Sequence, residues 1–491
     1  MAAGKWTESL KKSGSGCRKN LIDNSARRVL VMRNEELFRN LSLEEAPKIV
    51  VTPPGPKSQE ILDFQFSHEG SAVSYSRGMP MALASGRGAT LEDVDGNVYI
   101  DMFSGAGVMA LGHAHPEVLK AAHEQIDKVT HTLDIPTPTR RKMVESLQRL
   151  LPRELSRVFF GGPTGSDAVE QALKLAKYNT GRFGVIAFDG SYHGMTGAAL
   201  SVTSNSGHKD GLGPLVPGVQ FIPFPYRYRN PFGCPDDRVD EQAADNLERV
   251  LSDTHSGVSK PAAVILEAVQ GEGGTIIPSP RFLQRVREIT ESHGVLLICD
   301  EIQAGLGRTG KMFAFEHAGI VPDIVTISKA LGGVGFPISA IAYREELNTW
   351  PPGKSIGTFR GNMIAFAAGA AALDWMVEHK VAEHAAGLGE KVKPRLREME
   401  EGSAILGEAR GIGLMIALEL VEDKVTKKPS PDLAKKVRKY GHQRGVMIEV
   451  GGHYGNVARL LPPLIITEKL LVKGLEIIYG VIKDLEKGEL S

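Results

Sequence analysis

Between about residues 158 and 340, short apolar runs alternate with stretches whose apolar positions recur every three or four residues. The runs are VFFGG, GVIAF, AAVILE, GVLLICD, DIVTIS and ISAIAY. They are too short for helices, and apolar throughout rather than at every second position, as strands covered on both faces are. Helical patterns between them predict βαβ units and an α/β fold with a mainly parallel, helix-covered sheet. Upstream, ATLEDVDGNVYIDMFSG predicts a hairpin about Asp95-Gly96, a pair that tolerates the positive φ of a tight turn. HPEVLKAAHEQIDKV and TRRKMVESLQRLLP carry the helical period, and AFAAGAAALDWM reads as a buried helix. After about residue 375, LAKKVRKYGHQRG mixes with the strand patterns GLMIALEL and VMIEV, which predicts a smaller α+β domain. The predicted division is an arm over 1–45, a small-domain segment over 46–105, a large domain over 106–372 and the rest of the small domain over 373–491.

Composition narrows the partners. The chain has 491 residues, enough for two or three domains. Lys+Arg and Asp+Glu both number 58, and this balance argues against nucleic acid, whose phosphates demand a basic excess. Cys17, Cys234 and Cys299 lack the paired spacing of a zinc site or disulfide framework, so a reducing, cytoplasmic setting is expected. No apolar run reaches the roughly 20 residues that cross a bilayer, so no membrane partner is expected. The basic, glycine- and serine-spotted first residues lack a signal-peptide core, and Glu8 and Asp23 argue against a transit peptide. They read as a disordered arm or an upstream start ahead of Met32, with little function expected before about residue 45.

Two familiar-looking motifs lead nowhere. GLGRTG (305–310) is separated from its strand by DEIQA and opens no helix, as a dinucleotide turn must. GKSIG (353–357) follows TWPPG, not a strand, so no nucleophile elbow is set up.

Chemistry gathers instead at strand ends, where doubly wound sheets hold their ligands. DIVTIS runs into Lys329, GVLLICD ends in Asp300, and AAVILE ends in Glu267. A lone lysine at a strand end is ordinarily a snorkelling side chain. An acid on a second strand end changes the reading, because lysine and acid together suit pyridoxal phosphate. The lysine forms a Schiff base and the acid keeps the pyridine nitrogen protonated; an apolar surround lowers the lysine pKa so that it can act as nucleophile. GGPTGSDAVEQALKLAK offers backbone amides at Gly165 and Ser166 to a phosphate, though Thr164, Ser166 and Asp167 also read as a plain N-cap. Tyr192, in GSYHG, is placed either to stack on a ring or to pack in the core.

The long segment LLICDEIQAGLGRTGKMFAFEHAGIVPDIVTISKALGG strongly resembles the class III aminotransferases, pyridoxal-phosphate enzymes of fold type I, and the similarity runs from about 80 to 485. The resemblance implies that Lys329 is the Schiff-base lysine, Asp300 the partner of the pyridine nitrogen and Gln303 the neighbour of the phenolic oxygen. It implies the phosphate turn at Gly165 and Ser166, and the stacking ring at Tyr192. Thr358, in GTFRGN, resembles a threonine that reaches the phosphate of the other subunit, so a homodimer with interfacial sites is expected. Glu267 and Arg459 match a switch pair in which the arginine grips a substrate carboxylate and the acid neutralises it when none is present. Where relatives acting on 4-aminobutyrate or ornithine commonly carry an arginine, this chain has Met195; Arg360 is expected to supply a carboxylate-binding cation instead.

Within the family, FSGAGVMALGH, THTLDIPTP, PYRYRNPFG and EVGGHYGNVARLLPPLIIT look most similar to the diaminobutyrate–2-oxoglutarate aminotransferases. The implied reaction is ping-pong transfer from glutamate to aspartate 4-semialdehyde, with Lys329 moving the proton. An ornithine- or 4-aminobutyrate-type transaminase, and an amino-acid racemase or epimerase on the same scaffold, are the alternatives.

Overall fold

The computed structural model describes residues 34–490. Residues 1–33 of the expected arm, Met32 among them, lie outside the described residues. Residues 34–45 correct the rest of that expectation. Asn34 donates to the carbonyl of His379 at 2.6 Å, and Phe38 is fully buried with its ring 4.8 Å from His384 and 5.7 Å from Trp375. One aromatic side chain anchors this stretch, and a composition-based reading is blind to it.

Strands β1 (Leu83–Arg87), β2 (Thr90–Asp93) and β3 (Val98–Asp101) form an antiparallel meander, with Gly96 at φ +87° in the β2–β3 turn where the sequence places it. The large sheet uses β4 (Arg157–Gly162), β5 (Val185–Phe188), β6 (Val219–Ile222), β7 (Ala263–Leu266), β8 (Leu296–Asp300), β9 (Ile324–Ile327) and β10 (Ser339–Tyr343). Their order is β4-β10-β9-β8-β7-β5-β6, and β10 alone runs against its neighbours. Each of the six apolar runs is a strand. The seventh, β6, is half-exposed at the sheet edge, and its VQFI pattern is too short and mixed to stand out.

Because β5, β7, β8 and β9 are parallel, their carboxyl ends line one rim of the sheet. Residues of β5, β7 and β9 are buried throughout, which is why they read as unbroken apolar runs.

The C-terminal part adds β11 (Leu406–Ile412), β12 (Met415–Leu420), β13 (Val446–Met447), β14 (Glu449–Gly451) and β15 (Val457–Leu460). A second sheet has the order β11-β12-β15-β14, while β13 joins the N-terminal meander beside β3. VMIEV is thus split between two sheets, and the two ends of the chain share one. The small-residue stretch lies in the buried helix Met363–Glu378. Among the described residues, no helix is long and apolar enough to cross a membrane.

Candidate active site

A cavity of about 770 Å³ opens at the rim of the large sheet, bordered by Lys329, Asp300, Glu267, Gln303, Gly165, Ser166, Tyr192 and Arg459. The topology explains the gathering: β7, β8 and β9 are neighbours, so Glu267, Asp300 and Lys329 follow three adjacent parallel strand ends. Lys329 has φ +48°, the left-handed region, which costs a non-glycine residue about 1 kcal/mol and recurs where a side chain must be aimed. Burial pushes its ammonium down to about 8, and the charge of Arg459 adds to the shift against the pull of Asp300, Glu267 and Glu272.

Asp300 is held on both oxygens. Oδ2 accepts from His193 Nδ1 at 2.7 Å, and Oδ1 accepts from Thr326 Oγ1 at 2.9 Å and the Ile302 amide at 3.0 Å. The backbone of His193 is fixed in turn by its amide donating to Thr203 Oγ1 at 2.9 Å. Glu267 accepts from the amides of Tyr192 at 3.1 Å and Gly271 at 2.8 Å. Burial nevertheless pushes its carboxyl up to about 7, with Asp300 adding to the rise against His193 and the two amides.

Arg459 corrects the expected Glu267–Arg459 pair. Its Nη2 meets Glu272 Oε2 at 2.5 Å and its Nη1 donates to Gln303 Oε1 at 3.3 Å. Glu267 is turned toward its two amide donors, and Arg459 is paired instead with the acid on the following loop. Gln303 also donates to the carbonyl of Ala106 at 3.1 Å.

Two expected residues lie elsewhere in the same chain. Thr358 is exposed, between Ile356 and Phe359, which are 80% and 69% exposed. Arg360 is buried with its guanidinium 4.7 Å from the Phe159 ring and with Nε and Nη2 unpartnered among the described residues. Neither borders the cavity. Met195 does, and it brings no charge.

The sequence reading passed over His193, Glu272, Tyr75 and Glu449, all of which border the cavity. His193 stands directly after Tyr192 in a quoted motif, and Glu272 stands in QGEGG on the loop after Glu267. Both were within reach. Tyr75 and Glu449 come from distant segments and carry no local signal.

The family model for class-III aminotransferases matches residues 72–482. The chain belongs to the class-III aminotransferases. This aminotransferase is 43% identical over 419 residues to the diaminobutyrate–2-oxoglutarate aminotransferase of Rhizobium meliloti (strain 1021), covering 83% of this chain and 89% of that one. It is 36% identical to an alanine/serine racemase of Pyrococcus horikoshii, covering 91% and 95% of the two chains. An amine transaminase from an uncultivated Pseudomonas species, solved in its PLP-bound form, superposes with a TM-score of 0.78 at 30% identity, over 84% of this chain and 98% of the other. The architecture is that of the fold type I aminotransferases.

Proposed function

We propose that this aminotransferase binds pyridoxal phosphate as a homodimer. It moves an amino group between glutamate/2-oxoglutarate and L-2,4-diaminobutyrate/aspartate 4-semialdehyde. The observation that carries the reading is a buried lysine of lowered pKa and an anchored aspartate beneath an arginine neutralised by a loop acid.

The residues present fit the cofactor. Gly165 and Ser166 open the helix Gly165–Thr180 at the cavity, where first-turn amides have no intrahelical acceptor and can receive a phosphate. A Cβ at Gly194 would stand 2.1 Å from Ser166 Oγ, so the chain must be bare there to lie against this turn. Bound there, pyridoxal phosphate supplies a ring that withdraws electrons from the substrate carbon that loses its proton.

The protein groups supply the rest. Asp300, braced by His193 and Thr326, provides a fixed negative charge for a ring N–H. Tyr192 offers a face for stacking. The Nζ of Lys329 takes and returns the proton at the reacting carbon, and its lowered pKa suits that exchange near neutrality. Arg459 takes the substrate's carboxylate when glutamate or 2-oxoglutarate enters, displacing Glu272; when an ω-amine enters, Glu272 restores the neutral pair. The exposed apolar residues flanking Thr358 suit a second subunit, whose cavity Thr358 would complete.

Three of these features favour diaminobutyrate: the similarity to the Rhizobium enzyme, Met195 in the place of an arginine, and the switchable Arg459. The test is a half-reaction panel. Diaminobutyrate, ornithine, lysine, 4-aminobutyrate and glutamate are each mixed with holoenzyme, and loss of the cofactor's visible band is timed. Diaminobutyrate and glutamate are expected to react fastest; ornithine outpacing diaminobutyrate would replace the proposed substrate.

The Pyrococcus relative favours a second reading, racemisation. Incubation with an L-amino acid and no keto acid separates the two, because only a racemase erases chirality without forming a keto acid.

A further inference from the structure

The cavity holds more acid than the transamination steps use. Asp300 is bonded by His193 and Thr326, Glu267 by two amides, and Glu272 by Arg459. Glu449 is different. It is 7% exposed, borders the cavity, and receives one hydrogen bond, from the Val450 amide to Oε1 at 3.0 Å. Among the described residues it forms no ion pair, and the Val450 amide is the one donor to its side chain.

Its position is set by the second sheet. Glu449 on β14 is the register partner of Arg459 on β15, so both come from one antiparallel ladder at the cavity wall. Tyr75 borders the same cavity, and Glu449 is the charge that acts most strongly on its hydroxyl. Burial raises the Glu449 carboxyl and Glu272 adds to the rise, while Arg459, the Val450 amide and Arg438 oppose it. A carboxylate oxygen on the cavity wall with no protein donor is free to take one from a ligand.

We propose that Glu449 receives the ammonium that does not react in an α,ω-diamino acid, and so makes the site prefer diamino acids to their monoamine counterparts. This rests on the transaminase reading above. The reacting ω-amine lies over Lys329. The second ammonium, at the far end of the substrate, enters between Tyr75 and Glu449, while Glu272 keeps Arg459 neutral. A monoamine of the same length leaves the Glu449 oxygen unpaired.

The test uses substrate pairs that differ by one ammonium: L-2,4-diaminobutyrate against 4-aminobutyrate, and L-ornithine against 5-aminopentanoate. For each, the half-reaction of holoenzyme is followed by the cofactor's visible band, in wild type, Glu449→Gln and Glu449→Asp. The preference for the diamino member is expected to fall on the order of 10- to 100-fold in Glu449→Gln, the worth of one charge-assisted hydrogen bond. The loss should appear in the half-saturating concentration rather than the limiting rate. Glu449→Asp should recover part of it, because the charge remains. An unchanged preference in Glu449→Gln, or a wild type that treats the two members of each pair alike, overturns the assignment of Glu449 alone. A wild type that transfers an amino group from none of the four overturns the transaminase reading, and this one with it.

Discussion

The floor and the rim of the cavity are built differently. On the floor, Asp300 and Lys329 follow buried parallel strands, and each Asp300 oxygen is held by side-chain or backbone donors from fixed elements. On the rim, Arg459 comes from a buried strand, but its ionic partner Glu272 sits on a loop with its side chain 36% exposed. The floor groups are held on every side, whereas the rim's ion pair includes a partly exposed loop acid that solvent can reach. A reaction that passes one amino group between two differently charged molecules needs this division, with unchanging chemistry below and exchangeable charge above.

The largest effect should come from breaking the floor. Lys329→Ala is expected to lower turnover by about 10⁴-fold, because covalent capture and proton transfer are lost together; steady-state transamination assays read it. Asp300→Asn keeps the shape and removes the charge. It should lower kcat by roughly 10²- to 10³-fold with an unchanged melting temperature, and a fall in both would mean Asp300 is a fold residue instead. Breaking the rim should be milder and selective. Arg459→Gln is expected to lower kcat/KM for 2-oxoglutarate by roughly 30- to 150-fold, about 2–3 kcal/mol, and to spare the diamine half-reaction. An equal fall for both substrates would erase the distinction between floor and rim.

The smallest effect concerns pH. With the Lys329 ammonium pushed down to about 8, the amine is neutral above that pH and charged below it. Capture of pyridoxal phosphate by cofactor-free protein should therefore speed up as pH rises through about 8 and level off beyond it. A rise continuing toward the ordinary lysine range would show that burial does not tune this group.

The floor was legible in the sequence because its chemistry is local. Lys329, Asp300 and Glu267 each end an apolar run, and the parallel sheet that those runs predict brings such ends together. The rim was harder. Arg459 borders the cavity, but its ion pair is with Glu272 and not Glu267; both acids follow the same strand and only side-chain direction separates them. Glu449 looked like an ordinary strand residue within VMIEV, because the break that sends β13 and β14 to different sheets leaves no mark in the apolar pattern. Phe38 escaped for a related reason: its burial depends on Trp375 and His384, more than 300 positions away.

The most direct test is a structure of the pyridoxamine form with 2-oxoglutarate, set beside one with diaminobutyrate. Asp300, His193 and Thr326 are expected to superpose in both. Arg459 is expected to grip the 2-oxoglutarate carboxylate with Glu272 swung away, and the Arg459–Glu272 pair to be restored with the diamine. An Arg459–Glu272 pair that stays closed with 2-oxoglutarate in the cavity would contradict the exchange of charge at the rim.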